Sequence, residues 1–169
     1  GNVNLLTPGA SGDIQLAAAK KIVGNVTTGT TNEGELTITQ QGTAATVVVV
    51  SGTVGTADNK LKLIVVGGGN ANTDHAKFGG ALFATNITVN NGHNGAKTIF
   101  AGDVTAITTY TGNTTAGIIQ LDDTVNMTGN LVTANNDKGI LNVAGDSTIT
   151  GEVGAATSGL LSAINVQAK

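Results

Sequence analysis

The sequence predicts an all-β protein, specifically a right-handed parallel β-helix (β-solenoid) with coils of roughly 22 residues. Three observations lead to this prediction. Short runs of alternating apolar residues are closed by Gly or Asn, which is typical of brief strands ended by turns. Val, Ile, Thr, Gly and Asn dominate the composition, favouring strands and tight corners. The same short pattern also recurs along the chain at similar intervals.

The recurring pattern is Gly-x-(Ile/Leu)-x-apolar. Counting two imperfect copies, the pattern begins at positions 12, 34, 59, 80, 95, 117, 139 and 159. The intervals between successive copies are 22, 25, 21, 15, 22, 22 and 20 residues. A coil of this length cannot bury its apolar side chains alone, whereas stacked coils bury them in one core. The structural residues predicted on this basis are the turn glycines Gly12, Gly34, Gly80, Gly117 and Gly139 and the inward-facing Ile14, Leu36, Leu61, Leu82, Ile119 and Leu141.

We expect residues 1–169 to form a single solenoid segment, with residues 67–97 as an irregular loop or insertion because Gly67-Gly68-Gly69 interrupts the pattern. The rival architecture is an antiparallel β-sandwich, which also uses many short strands. The chain starts and stops within the repeat and has no evident signal peptide. We therefore expect it to be a fragment of a longer protein.

Composition argues against several functional classes. All 8 basic residues are Lys and the net charge is -3, so the bidentate Arg contacts and basic patches of nucleic-acid binding are missing. The absence of Cys rules out disulfides and thiol nucleophiles. No apolar run is long enough to predict direct membrane insertion.

Few residues suggest chemistry. Asp103, Asp122 and Asp123 could supply oxygen ligands for calcium, although solvated turn carboxylates are the simpler interpretation. Asp74-His75 and His93 lack the nucleophile motif of a hydrolytic triad, and four aromatic residues are too few for a polysaccharide-binding cleft. We therefore predict a protein that is not an enzyme and has no cofactor, with calcium at these aspartates as the alternative.

The C-terminal part of the chain resembles the passenger region of surface-layer autotransporters of the rickettsial outer membrane protein B type. With weaker echoes at Gly24 to Ile38 and Val50 to Gly55, the resemblance covers about two thirds of the chain, and it is thin between residues 67 and 110. The matching residues are Thr128-Gly129-Asn130-Leu131, Asn136 to Leu141, Val143-x-Gly145, Thr148 to Gly154 and Ile164-Asn165-Val166. The family implies a secreted β-helical passenger on the outer face of the bacterial outer membrane, with roles in the surface layer, adhesion and entry into host cells.

The sequence thus predicts a non-enzymatic structural protein of the bacterial cell surface, with self-association, neighbouring passenger coils or a host-cell receptor as partners. Two alternatives remain open. A self-assembling fibre or lattice subunit would use the solenoid ends and the run Val47 to Val50 for strand pairing. An ice- or glycan-binding solenoid would use threonine pairs such as those in Thr37-Ile38-Thr39 and Thr148-Ile149-Thr150.

Overall fold

The computed structural model describes residues 1–5, 12–17, 20–39, 48–67, 75–93, 95–154 and 159–167. Within these ranges the chain forms β-strands and turns, with no helix. The strands are β1 (Val3–Leu5), β2 (Asp13–Leu16), β3 (Val26–Thr28), β4 (Glu33–Ile38), β5 (Val48–Val50), β6 (Leu61–Gly67), β7 (His75–Phe78), β8 (Leu82–Asn90), β9 (Lys97–Phe100), β10 (Val104–Tyr110), β11 (Ile118–Leu121), β12 (Asn126–Thr128), β13 (Leu131–Thr133), β14 (Ile140–Ala144), β15 (Thr148–Thr150) and β16 (Ala163–Gln167).

All described strand pairs are parallel, and strands within each sheet pair with strands one coil earlier and one coil later, while the strands at the ends of each sheet pair on one side only. Sheet I has the order β2-β4-β6-β8-β10-β12-β15, with β13 also paired to β10. Sheet II has the order β5-β7-β9-β11-β14-β16. The pair β1–β3 continues through single bridges from Val26 to Val54 and from Val54 to Leu82, so it joins the first part of β8.

This topology confirms the predicted fold class: the chain is a β-solenoid of about 6 turns with coils of about 22 residues. Along one column of sheet II, the step is 28 residues from Ile22 to Val50 and again from Val50 to Phe78. It shortens to 22 from Phe78 to Phe100 and stays near that value to the C-terminal coil. The longer steps explain why the sequence repeat is blurred in the first half.

The expectation that residues 67–97 form an irregular loop or insertion is corrected for residues 75–90. They form β7 and β8, and β8 is the longest described strand, with 9 residues. His75 to Phe78 pair in register with Lys97 to Phe100. The alternating apolar residues at these positions supply inward-facing side chains to both sheets. Their burial favours strands here despite the glycines on either side. Residues 68–74, including Asp74, lie outside the described residues.

The core runs along the inside of the stacked coils. Five of the predicted inward residues are 0–1% exposed, namely Leu36, Leu61, Leu82, Ile119 and Leu141. Ile14 is the exception and is only partly buried, because its strand β2 is the last of sheet I and has a neighbouring coil on one side only. In sheet II the rings of Phe78 and Phe100 stack at 5.9 Å between centroids.

Tyr110 fills the corner where sheet I turns towards sheet II. Its ring is fully buried, and its hydroxyl group donates a hydrogen bond to the backbone oxygen of Asn91 at 2.9 Å, with the Thr114 backbone oxygen 3.3 Å from the same hydroxyl. The Asn91 side chain extends this network by donating to the Ile118 oxygen and accepting from the Thr98 hydroxyl. Burial raises the pKa of Tyr110 to about 12. A single aromatic side chain thus closes one corner of the coil.

The predicted turn glycines serve more than one purpose. Gly34 and Gly139 have left-handed backbones, with φ of 74° and 72°, although Gly34 lies inside β4 rather than in a turn. Gly80 and Gly117 do not have left-handed backbones. Glycine is required at these two positions because neighbouring backbone atoms lie too close to leave room for a Cβ atom. A Cβ on Gly80 would lie 2.5 Å from the backbone of Gly52, and one on Gly117 would lie 2.6 Å from the Asn91 oxygen. Gly12 precedes β2, and its carbonyl oxygen accepts from the Glu35 amide.

Stacked glycines form a column down one corner of the solenoid. The ideal Cβ positions of Gly24, Gly52, Gly80 and Gly102 each fall 2.7 Å or less from a backbone atom of the glycine one coil earlier. A second corner, between β12 and β13, shows the same relation from Gly151 to Gly129, at 2.3 Å. Real Cβ atoms do not approach a backbone this closely, so both corners accept only glycine at these positions.

Candidate functional site

The three candidate calcium ligands each participate in bonds that link coils. Asp103 accepts hydrogen bonds from the backbone amide and side-chain amide of Asn126, at 2.8 and 3.3 Å. Asp122 lies 2.7 Å from the Lys77 ammonium. Asp123 accepts from the backbone amide of Asp146 at 3.0 Å. Across the described ranges, no group of three or more His, Asp or Glu side chains could hold a metal ion. Asp103, Asp122 and Asp123 are therefore not brought together as a calcium site.

Asn side chains form the same coil-to-coil bond as Asp103 and Asp123. The amide oxygens of Asn2, Asn25 and Asn130 each accept a hydrogen bond from a backbone amide 22 to 28 residues further along the chain. Asn2 and Asn25 follow glycines of the first stacked corner, and Asn130 follows Gly129 at the second. In these three coils the dipeptide Gly-Asn places a side-chain oxygen within hydrogen-bond distance of the next coil. This dipeptide is the sequence signal for these structural bonds.

The two histidines lie on separate elements. His75 begins β7, whereas His93 lies in the turn after β8, where its carbonyl oxygen accepts from the Ala96 amide. His75 borders a small cavity of about 10 Å³, lined among the described residues by Ile38, Thr39, Val66, Gly67, Ala76 and Asn91. A cavity of this size holds about one water molecule. It offers no room for a substrate.

The outer face of sheet II carries a row of hydrogen-bonded polar side chains that we call the polar ladder: Lys77, Lys97, Gln120, Asp122, Asn142 and Asn165. Lys97 donates to the Gln120 oxygen at 3.2 Å, and the Gln120 amide donates to Asp122 at 2.9 Å. Further along, the Asn165 amide donates to the Asn142 oxygen at 3.0 Å. The ladder therefore places amide and charged groups on the outer face of sheet II.

The threonine pairs lie on different parts of the surface. Thr37 pairs with Gln15 and Val65, so its column mixes residue types. Thr150 belongs to a short column with Thr105 and Thr128. The threonines at 37–39 and 148–150 therefore do not form one continuous array.

Exposed apolar side chains lie in the coils at both ends of the described solenoid. At the N-terminal end, Leu5, Leu16 and Ile22 are only 7–9% exposed, whereas Val23 is 58% exposed. At the C-terminal end, Leu160, Ile164 and Val166 are 48%, 53% and 75% exposed. Ile164 and Val166 lie in register with the buried Leu141 and Val143. They continue the core columns into a coil that has no described strand above it.

The alternative of a self-assembling fibre uses the run Val47 to Val50 for intermolecular strand pairing. The structure places Val48–Val50 in β5, between Ile22 and β7, and Val49 and Val50 are fully buried. This prediction is therefore wrong for Val48 to Val50, because the neighbouring coils already occupy both sides of the strand. Val47 lies outside the described residues.

Comparison of the chain with protein-family models, curated proteins and solved structures found no match. The fold therefore defines the class of protein, a parallel β-solenoid. A search of the described residues found no helix with the length and apolar character needed to cross a membrane.

Proposed function

We propose that this chain is a non-enzymatic structural segment of a bacterial cell-surface protein, part of a surface-layer or autotransporter passenger. Its role is mechanical: stacked coils form a rod that holds a polar outer face away from the cell. An adhesin role on a host-cell receptor would use that face.

The use of polar side chains as links between coils carries this proposal. The carboxylates and amides that could have formed a reactive or metal-binding group instead bond to the next coil, as in Asp103–Asn126 and Asn130–Glu152. Such bonds stabilise a repeating rod, whose function then depends mainly on its shape. The residues that resemble surface-layer passengers include β13 to β16, where coil spacing is most regular.

The surface role is tested by immunogold labelling of intact cells that produce the chain, with antibodies raised against the purified protein. We expect gold particles on the outer surface and loss of labelling after brief protease treatment of whole cells. An antibody against a cytoplasmic protein is the control and should label only permeabilised cells. Labelling that requires permeabilisation would contradict a surface location.

A separate experiment tests the adhesin role. The purified chain, immobilised on beads, should bind cultured host cells, and Lys97→Glu, which leaves the Lys77–Asp122 pair intact, should reduce binding if the polar ladder makes the contact. Asn4→Lys, on the opposite end of the solenoid, is the control. Unchanged binding by the ladder variant would assign adhesion to another face.

A further inference from the structure

We propose that two stacked loops at one corner of the solenoid, residues 29–32 and 56–60, form a binding site for neutral glycans. We call them the corner loops. They lie where the chain passes from the column that contains Val26, Val54 and Leu82 to sheet I. This inference goes beyond the proposed function and does not rest on it, since the polar ladder lies on the outer face of sheet II.

The corner loops exist because two coils use more residues at this corner than the coil that follows them. The chain advances 10 residues from Val26 to Leu36, and again from Val54 to Ile64, but only 5 residues from Leu82 to Ile87. The solenoid can therefore turn this corner without the extra residues. Insertions in successive repeats of a solenoid collect on one face, which is often the binding face.

Hydrogen bonds hold the corner loops in a defined shape. The backbone amide of Asn32 donates to the Lys60 carbonyl oxygen at 2.8 Å, and the Lys60 amide donates to the Thr31 hydroxyl oxygen at 3.3 Å. Within the second loop, the Thr56 amide donates to the Asn59 carbonyl oxygen, and the Asn59 amide donates to the Thr56 hydroxyl oxygen, both at 3.0 Å. A surface that is already ordered loses little conformational freedom when it binds a ligand.

Two exposed side chains of the corner loops are not used to link coils. Neither the Asn32 amide nor the Asp58 carboxylate forms a hydrogen bond or ion pair with another residue of the described ranges. Elsewhere such groups join neighbouring coils, as the side chains of Asn25, Asn130 and Asp103 do. An amide together with a carboxylate offers a ligand both hydrogen-bond donors and acceptors.

The exposed residues of the corner loops indicate the class of ligand. Gly29 to Asn32 and Thr56 to Asp58 supply hydroxyl groups, an amide and one carboxylate, and they include no aromatic or Arg side chain. Protein interfaces depend on Trp, Tyr and Arg as anchors, so a protein partner fits poorly. The single negative charge disfavours sialylated and sulfated glycans. A neutral glycan, whose hydroxyl groups donate and accept hydrogen bonds, matches this surface.

Each contact with a glycan should be weak. Without an aromatic ring that stacks on a sugar, binding depends on hydrogen bonds that replace bonds to water. We therefore expect a dissociation constant of about 1 mM for a single site. Attachment should be much tighter where many copies of the chain face a surface that carries many glycans.

The test uses fluorescent beads coated with the 169-residue chain. The beads are applied to printed neutral glycans that end in galactose, glucose, mannose or N-acetylglucosamine, beside glycans that end in sialic acid. We expect binding to at least one neutral glycan. Asn32→Gly with Asp58→Ala should reduce it at least about tenfold, because two hydrogen-bonding groups are lost at every site. Glycine tolerates the φ of 63° at position 32.

Asp137→Gly is the matched control, because Asp137 is also exposed and has a φ of 55° but lies at another corner, between β13 and β14. It should bind as the wild type does. Circular dichroism melting verifies that the variants fold, and Asp58→Asn, which keeps the shape of the side chain, should also weaken binding.

Three results would overturn the proposal: no binding to any printed neutral glycan, binding only to sialylated glycans, or equal binding by the wild type and the Asn32→Gly, Asp58→Ala variant. Immunogold labelling of cells does not depend on glycans. Failure of this inference therefore leaves the proposed function separately testable.

Discussion

Lys77 reaches across a complete coil to Asp122: its ammonium nitrogen lies 2.7 Å from the Asp122 carboxylate, 45 residues along the chain. The strand between them, β9, carries Ile99, which is only 5% exposed although it occupies the same outward column as Lys77. The aliphatic part of Lys77 can cover apolar surface while its charged end reaches the carboxylate. The ion pair therefore joins three successive coils.

Removal of this pair should destabilise the fold. In a double-mutant cycle of Lys77→Met and Asp122→Asn, we expect a coupling energy of about 1 kcal/mol, because both side chains are largely shielded from water. Urea unfolding at low and high salt measures it. The pair Lys62–Glu35 is the control: its atoms are 3.5 Å apart and Lys62 is 53% exposed, so its coupling should be about 0.3 kcal/mol. Equal coupling energies in the two pairs would show that an ion pair that spans a coil contributes no additional stability.

Stability should fall at alkaline pH because of Tyr110. Its pKa is about 12 in the folded chain against 10.0 in the unfolded chain, so folding favours the protonated phenol. That contribution is fully present below pH 10 and is lost as the pH rises through 12. Tyr110→Phe should abolish this part of the pH dependence, at a cost of about 1 kcal/mol for the lost hydrogen bonds.

The chain contains one tyrosine, so absorbance at 295 nm reports its titration directly. The difference in unfolding free energy between the wild type and Tyr110→Phe, followed from pH 8 upwards, removes the contribution of lysine titration. A phenol that titrates at its ordinary pKa in the folded protein would contradict its burial.

Leu141→Asp should abolish cooperative unfolding. Leu141 is completely buried, and a carboxylate at this position would have no partner of opposite charge inside the column. Ile164→Asp is the matched control, because Ile164 is the register partner of Leu141 in the next coil and is 53% exposed. It should retain a sharp melting transition by circular dichroism. Loss of that transition in both variants would indicate that the last coil is buried in solution.

Gly139→Ala should destabilise the chain more than Gly95→Ala. Both glycines have positive φ, so both substitutions cost about 1 kcal/mol of backbone strain. A Cβ on Gly139 would also lie 2.9 Å from the Tyr110 ring, whereas one on Gly95 would meet nothing within 4 Å. We expect the Gly139 variant to lose at least about 2 kcal/mol more, as overpacked sites do. Similar losses in the two variants would show that the corner around Tyr110 can relax.

The Gly-x-(Ile/Leu)-x-apolar pattern predicted the presence of strands but not their place in the coil. Gly12 and Gly34 mark sheet I, Gly80 precedes the part of β8 that extends the β1–β3 pair, and Gly117 and Gly139 mark sheet II. Any short strand after a corner shows the same alternation, since inward and outward residues alternate in every sheet. The irregular step of 15 residues, from 80 to 95, is therefore a change of sheet and not a shortened coil.

The sequence by itself predicted stacked parallel coils of about 22 residues, with an antiparallel sandwich as the rival, and placed Leu36, Leu61, Leu82 and Leu141 inside, as the structure confirms. These properties depend on local alternation and on spacing, which a linear chain records directly. The tertiary structure alone decided which side chains meet across coils: Lys77 with Asp122, Tyr110 with Gly139, and Asp103 with Asn126. It also showed that Ile164 and Val166 of β16 are exposed. Such contacts depend on the register between coils, and register is set by packing across the whole stack rather than by any short stretch of sequence.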